Sequence, residues 1–337
     1  MNNQIDIIIP WVDENDENWQ REKLKWMQKK DIPADANSNI RYQGWDNLHI
    51  LFRGIEKFMP WVHKVFLVTC GYIPEFLDID NPKLELIKHD SYIPQKYLPT
   101  FNSNTIEMNY HRIKNLSENF ILFNDDTFPV SPIEESYYFQ DNVVCEEAVE
   151  TPVMPTDIGQ ITQYSCILKV NNMLLINKHF NKRQVQKENY GKWFCEDYGE
   201  LLERTKGLQY WNNFVGFHDR HMPVAVKKST LAHLWEIEPD VLDCASSNKF
   251  RNFSDVSQYL IRYWQICEGN FCPRKTLGEP YFVTIDNYKK VVEDMVKNKH
   301  QMVCFIEDCT SDEFLIIKKE INKALESILP QKSSFEK

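Results

Sequence analysis

Two carboxylates stand side by side at Asn124-Asp125-Asp126, directly after the apolar residues Phe120-Ile121-Leu122-Phe123. A buried strand ending there delivers both acids to one mouth, where hard oxygen ligands can hold Mg²⁺ or Mn²⁺ against a diphosphate. Taken alone, such a tripeptide is more often a turn with capping side chains. Upstream, His111-Arg112 adds a planar guanidinium suited to phosphate oxygens, or to an ordinary surface ion pair. Thr100-Phe101-Asn102-Ser103-Asn104 opens the helix that carries this pair, with Ser103 as its expected cap, and a helix N-terminus offers free N–H groups to an anion. Farther along, His218-Asp219-Arg220-His221-Met222-Pro223, Lys227-Lys228 and Lys249-Phe250-Arg251 gather cations in an acidic chain. Such groups could clamp a transferring phosphate and move a proton, although a lone histidine is more often structural and a lysine pair usually solvated.

The elements that must position these residues are legible from periodicity. Ile5-Asp6-Ile7-Ile8-Ile9, stopped by Pro10, predicts a buried strand whose end delivers Trp11, Val12 and Asp13 to a loop. Glu14 to Asn39 reads as helix and linker. Leu48, Leu51, Phe52, Ile55 and Met59 keep helical spacing up to Pro60. Strands follow at 65–68 and 84–87, then a helix from Ser103 with Ile106, Tyr110 and Ile113 on one face, then the strand at 120–123. The order strand, helix, strand, strand, helix, strand predicts an α/β fold that binds ligands beyond the carboxyl ends of its strands. Residues 130–210 read as short strands mixed with loops. Amphipathic helices follow around Tyr259–Cys267 and Phe314–Ile328.

Composition bounds the function. A chain of 337 residues, 42% hydrophobic and 13% aromatic, can bury a sizeable core. Its formal charge of -10 gives no general attraction to nucleic acid or to an anionic membrane, so any phosphate-binding surface is local. No run of about 18 apolar residues is present, which predicts no transmembrane segment, and Met1-Asn2-Asn3-Gln4 lacks a secretory pattern. The expectation is a cytoplasmic protein. Its nine scattered cysteines fit reduced thiols better than a zinc site or a disulfide framework.

Four separated blocks resemble the Stealth family of sugar-phosphotransferases. The first is Ile5-Asp6-Ile7-Ile8-Ile9-Pro10-Trp11-Val12-Asp13, with Asn15-Asp16 and Trp19 behind it. The second runs from Arg41 through Ile55-Glu56-Lys57-Phe58-Met59-Pro60-Trp61-Val62, Asn81-Pro82, Leu98-Pro99-Thr100-Phe101-Asn102-Ser103, Ile106-Glu107 and His111-Arg112-Ile113 to Phe123-Asn124-Asp125-Asp126. The third is His221-Met222-Pro223 with Lys249-Phe250-Arg251, and the fourth is the C-terminal helix with the closing Pro330 to Phe335 segment. One departure stands out. The family usually has Asn-Asp after a Cys and an apolar residue, whereas this chain has Cys304-Phe305-Ile306-Glu307-Asp308, so neither Glu307 nor Asp308 is assigned a role.

The resemblance implies a Rossmann-like, GT-A-like nucleotide-sugar-binding core with an additional helical C-terminal part. Residues 1–130 would form the nucleotide-sugar half with the metal site, and 131–337 the remainder of one integrated catalytic domain. The implied reaction moves a hexose- or N-acetylhexosamine-1-phosphate from a UDP-sugar donor to a hydroxyl of a glycan acceptor, with release of UMP, in capsular or cell-surface polysaccharide synthesis. Asp125 and Asp126 would hold Mg²⁺ or Mn²⁺, Arg112 and Arg251 would neutralise charge, and His221 or one of the aspartates would take the hydroxyl proton. Trp11, Val12, Asp13, Asn102, Ser103, Asn104, Glu107, His111 and Lys228 would bind substrate. Bacterial members suggest a lipid-linked acceptor, reached from a peripheral position at the inner membrane face. Rival readings are a metal-dependent glycosyltransferase releasing UDP and a non-catalytic carbohydrate-binding relative.

Overall fold

The structure, a computed structural model, describes residues 4–27, 36–37, 42–154, 160–298 and 300–337, without the side chains of 160–162. Arg41, where the second block begins, lies outside the described residues, as does most of the expected linker before Asn39.

The first β-branched run forms β1 (Ile5–Pro10), with Ile7, Ile8 and Ile9 wholly buried. A strand apolar on both faces belongs inside a parallel sheet covered on each side. Helices α1 (Glu17–Met27) and α2 (Leu48–Phe58) follow, then β2 (Val65–Thr69), β3 (Leu84–Lys88), a short α3 (Ser103–Glu107) and β4 (Asn119–Leu122). Strands β3, β2, β1 and β4 lie parallel in that spatial order, with Ile8 opposite both Phe66 and Leu122. The order reverses between β1 and β4, and the ends of those two strands open a crevice there.

Beyond residue 130 the structure differs from expectation. Strands β5 (Thr127–Pro129), β6 (Phe139–Gln140) and β7 (Val143–Glu146) come quickly, and the region read as strands and loops is instead mostly helical: α4 (Gln160–His179), α5 (Lys182–Glu188), α6 (Tyr190–Trp193) and α7 (Leu202–Gly207). The α4 pattern is hidden because a polar residue faces inward. Asn172 is fully buried and bonds Ser257, so its apolar neighbours Leu168, Met173 and Ile176 form no clean stripe.

The chain then returns through β8 (Val224–Lys227), α8 (Lys228–Ile237), α9 (Pro239–Ser247), α10 (Tyr259–Cys267), β9 (Phe271–Pro273), β10 (Glu279–Val283), α11 (Tyr288–Lys297), β11 (Met302–Glu307) and α12 (Ser311–Ile328). The C-terminal part is therefore not only helical. β8 adds an antiparallel edge to β4, while β10 and β11 form a second sheet with β5, and β6, β7 and β9 a third. Strands from both sides of residue 130 thus interleave, and one large core runs through the chain. Among the described residues, no helix is long and apolar enough to cross a membrane.

Ile121, fully buried on β4 between β1 and β8, tests this core. Ile121→Ala is expected to lower unfolding free energy by about 2–5 kcal/mol in urea denaturation; a loss under about 1 kcal/mol would contradict the packing described.

Candidate active site

Local sequence aims the first two groups. After Pro10, the Trp11 amide donates to the Val68 carbonyl (2.9 Å), which keeps the chain on the sheet for one more residue. Trp11 and Tyr72 then face one another at 5.8 Å, and Asp13 bonds the Tyr72 hydroxyl. Val12 turns the other way, into a small core of Trp19, Phe101 and Phe250. Trp11 and Asp13 therefore stand at the crevice mouth, and Val12 supports it from behind.

The second pair of groups comes from strand register. On β4, the Phe123 amide donates to the Ile8 carbonyl (3.0 Å), after which the chain leaves the sheet as Asn124-Asp125-Asp126. Leu122 pairs with Val224 on antiparallel β8, so residues just before β8 meet those just after β4. His221 Nε2 consequently lies 3.3 Å from Asp126 Oδ2 and 3.3 Å from Asn124 Nδ2. The His221 backbone has φ 53, a left-handed conformation rare outside glycine. From the third side, Cys304 on β11 pairs with Thr127, and its thiol lies 3.5 Å from Asp126 Oδ1, which also accepts from the Thr127 hydroxyl (3.1 Å). Asp126, His221 and Cys304 bring one potential ligand atom each within 4.8 Å of one another.

Electrostatics join further residues to this centre. Burial pushes Asp125 up to about 7, helped by the charges of Asp126, Glu14 and Glu307. Glu14 directly follows Asp13 and accepts the Gly44 amide (2.9 Å), while Glu307 ends the apolar run of β11. Burial likewise pushes Glu107 up to about 7, against the pull of Arg251 and His221. For His221, burial lowers the pKa, but Asp126, through charge and a hydrogen bond, outweighs it with help from Glu307 and Glu107 and raises it. Asp125, Asp126, Glu14, Glu307 and Glu107 thus gather their carboxylates around the Arg251 guanidinium and the His221 imidazole. This donor set, rich in oxygen and in negative charge, fits a hard divalent cation.

Glu14 and Cys304 reach this centre although sequence reasoning gave them no role, and so does Glu307, which was left without one because its block departs from the family pattern. A usable signal existed for Glu307, because an acid closing an apolar run is the same pattern that marks Asp125. For Glu14 the signal was its place beside Asp13 at a strand end.

Several expected site residues are placed elsewhere. The helix that should carry Arg112 ends at Glu107, and a separate 3-10 turn spans Tyr110–Arg112. There the Arg112 guanidinium stacks on Trp235 of α8 (4.7 Å) and its Nε bonds Asn109, while His111 packs beside the same tryptophan. Lys228 Nζ donates to the carbonyls of Ile113 (2.6 Å) and Leu116 (3.1 Å), beyond the amino end of β4 and opposite the acidic mouth. The three side chains therefore lie away from Asp125 and Asp126, before the amino end of β4.

The asparagines also change role. Asn102, not Ser103, caps α3, accepting the Asn104 amide, and Ser103 is the first helical residue. Asn102 is fully buried, and both amides reach Asp255: Asn102 Nδ2 at 2.9 Å and Asn104 Nδ2 at 3.4 Å, the latter also meeting Tyr164 at 2.8 Å. These bonds tie the 100–104 loop to the 248–255 loop that carries Arg251, whose own backbone is paired with Asn37. Asn102 and Asn104 hold the walls and do not line the crevice.

Sheet order and site define a class: an α/β protein whose candidate site lies beyond the carboxyl ends of parallel strands, at the point where strand order reverses. The model described as Stealth protein CR2, conserved region 2, matches residues 41–146. The chain is 37% identical to a capsular polysaccharide phosphotransferase WcwK of Streptococcus pneumoniae, covering 99% of this chain and 98% of that one. It is 36% identical to the exopolysaccharide phosphotransferase cps2G of Lactiplantibacillus plantarum (99% and 96% covered) and 33% identical to the receptor polysaccharide phosphotransferase WefC of Streptococcus oralis (99% of each). The chain belongs to the Stealth family and is a phosphotransferase enzyme.

Two outcomes test the site. Folded Asp125 and Glu107 keep protons that the unfolded chain releases near pH 4, so the cation-free native state loses stability as pH rises from about 4 through 7. His221 adds the same sign, since a raised imidazole stabilises below its unfolded pKa and that gain is lost as pH climbs past its folded one. Thermal unfolding without divalent ions should therefore show a lower Tm at pH 8 than at pH 5.5, and Asp125→Asn should flatten that slope; an unchanged slope would remove Asp125 from the titrating set. Arg112→Gln is expected to lower Tm through lost stacking on Trp235 yet keep kcat within about threefold. A hundredfold fall in kcat would return Arg112 to the reaction.

Proposed function

We propose that this enzyme transfers a hexose- or N-acetylhexosamine-1-phosphate from a UDP-sugar to a hydroxyl of a glycan acceptor during polysaccharide synthesis, releasing UMP. The observation that carries this reading is the contact of His221 with Asp126 at the switch point, where the charges of Asp126, Glu14 and Glu307 act on Asp125 and those of Arg251 and His221 on Glu107. The relatives' names as polysaccharide phosphotransferases support the acceptor class.

In this reading Asp125 and Asp126, with Glu307 and Glu14 close by, hold Mg²⁺ or Mn²⁺. The cation, when bound, neutralises charge on the diphosphate and on the leaving phosphate. Without it, so many carboxylates would repel a diphosphate. Trp11, Tyr72 and Asp13 line the nucleotide side, where a carboxylate can bond ribose hydroxyls and an aromatic ring can lie against a flat or apolar group. Arg251 donates to non-bridging phosphate oxygens and leaves Glu107 to bond a sugar hydroxyl.

The acceptor oxygen forms a bond to the β-phosphorus, and the bond from that phosphorus to the oxygen bridging it to the α-phosphate breaks. UMP departs with that oxygen. Asp125 and Asp126 would hold the cation, which leaves the imidazole of His221 to receive the hydroxyl proton, and Asp126 beside it stabilises the charge gained. Holding these parts in line is most of what phosphoryl transfer asks of a protein. A lipid-linked acceptor and a peripheral place on the cytoplasmic membrane face complete the reading.

Incubation with a panel of UDP-sugars and a glycan acceptor should release UMP, and release of UDP would establish glycosyl transfer instead. Asp125→Ala or Asp126→Ala should abolish turnover and its dependence on divalent ions while circular dichroism stays unchanged. His221→Gln should lower kcat at least about a hundredfold. An Asp variant that turns over without added metal would overturn the cation site.

A further inference from the structure

The left-handed backbone of His221 is not favoured by its own residue type, so its surroundings must impose it. The three side chains before it are each fastened to a different element. His218 Nδ1 bonds Glu147 Oε1 at 2.7 Å, just past β7, and its amide donates to the Val149 carbonyl at 2.8 Å. Asp219 is buried and meets Arg262 of α10 at 3.1 Å, the Tyr263 hydroxyl of the same helix, and Lys169 of α4 at 3.4 Å. Arg220 reaches Glu279 at the start of β10 at 3.1 Å.

Arg262 is itself held from behind. Its Nε bonds Glu146 at 2.8 Å and another nitrogen bonds the Glu147 carbonyl at 2.7 Å, all within the protein interior. On the far side, Met222 packs against Gly278, where any Cβ would come 2.9 Å from the Met222 sulfur. The segment is thus pinned before and after His221. Moving the 219–221 backbone out of this turn requires breaking charged bonds inside the core, where an unpaired Asp219 or Arg262 is costly.

We propose that Asp219 is a positioning residue for His221: braced by Arg262 and Tyr263, it fixes the backbone turn that aims the imidazole at Asp126 and at the reacting hydroxyl. It acts through His221 alone, an inference that rests on His221 serving in the transfer. Residues that act as one unit give non-additive losses, whereas a residue that only stabilises the fold adds its effect independently.

The test is a double-mutant cycle with Asp219→Asn and His221→Gln, accompanied by hydrogen exchange. Asp219→Asn should lower kcat on the order of tenfold or more, leave donor KM within about threefold, and raise deuterium uptake in peptides covering 218–223. Adding Asp219→Asn to His221→Gln should cost nothing further. Additive losses, or full turnover with raised uptake, would overturn the proposal. Tyr263→Phe removes one bond to Asp219 without leaving a buried charge unpaired, and serves if the first variant does not fold; it should show the same cycle at smaller amplitude. The cycle is read on whichever nucleotide the wild type releases and the exchange without substrate. Release of UDP would therefore defeat the functional reading while leaving this one intact.

Discussion

Everything at the active site depends on the antiparallel pairing of β4 with β8. Leu122 opposite Val224 is an apolar contact between two buried residues more than a hundred positions apart, yet it decides what faces Asp126. Side chains alternate along a strand, so a slip of one residue would turn Val224 to the opposite face of the sheet and carry His221 away from the acids. The fit of two apolar faces thus sets a polar geometry that no polar residue could set alone.

The price of that geometry is a concentration of charge where water is scarce. Asp125 and Glu107 are pushed up to about 7 because burial disfavours their anions, and Asp125 also sits near three other acids. A divalent cation held there would relieve both the repulsion and the desolvation. The neutral form of Glu107 could donate a hydrogen bond as well as accept one, which suits recognition of a sugar hydroxyl.

Buried polar networks hold the rest in place. Asp255 gathers Asn102, Asn104, Tyr164 and Asn248, and so joins the loop of α3 to the loop of Arg251. Glu146, Glu147 and Arg262 do the same beneath His221. Each network is nearly saturated with partners, which gives it directional rigidity that apolar packing lacks.

The sequence by itself determined the apolar runs, and with them the parallel strands, α2, α10, α12 and the strand end that presents Asn124-Asp125-Asp126. Periodicity records burial directly, so these elements were legible. The resemblance further singled out His221 and Arg251 as catalytic candidates and Glu107 as a substrate-binding one, and the fold brings their charges to bear on one another beside Asp126. Tertiary structure alone decided which polar residues face the crevice. Arg112, Lys228, Asn102 and Asn104 have the chemistry of ligands, but their partners Trp235, Ile113 and Asp255 come from distant or crossing segments, and no local spacing encodes that choice. Glu14 and Glu307 meet Asp125 for the same reason, and α4 escaped notice because the buried Asn172 breaks its stripe. A residue type states what a side chain can do, and only the packing of the chain states what it meets.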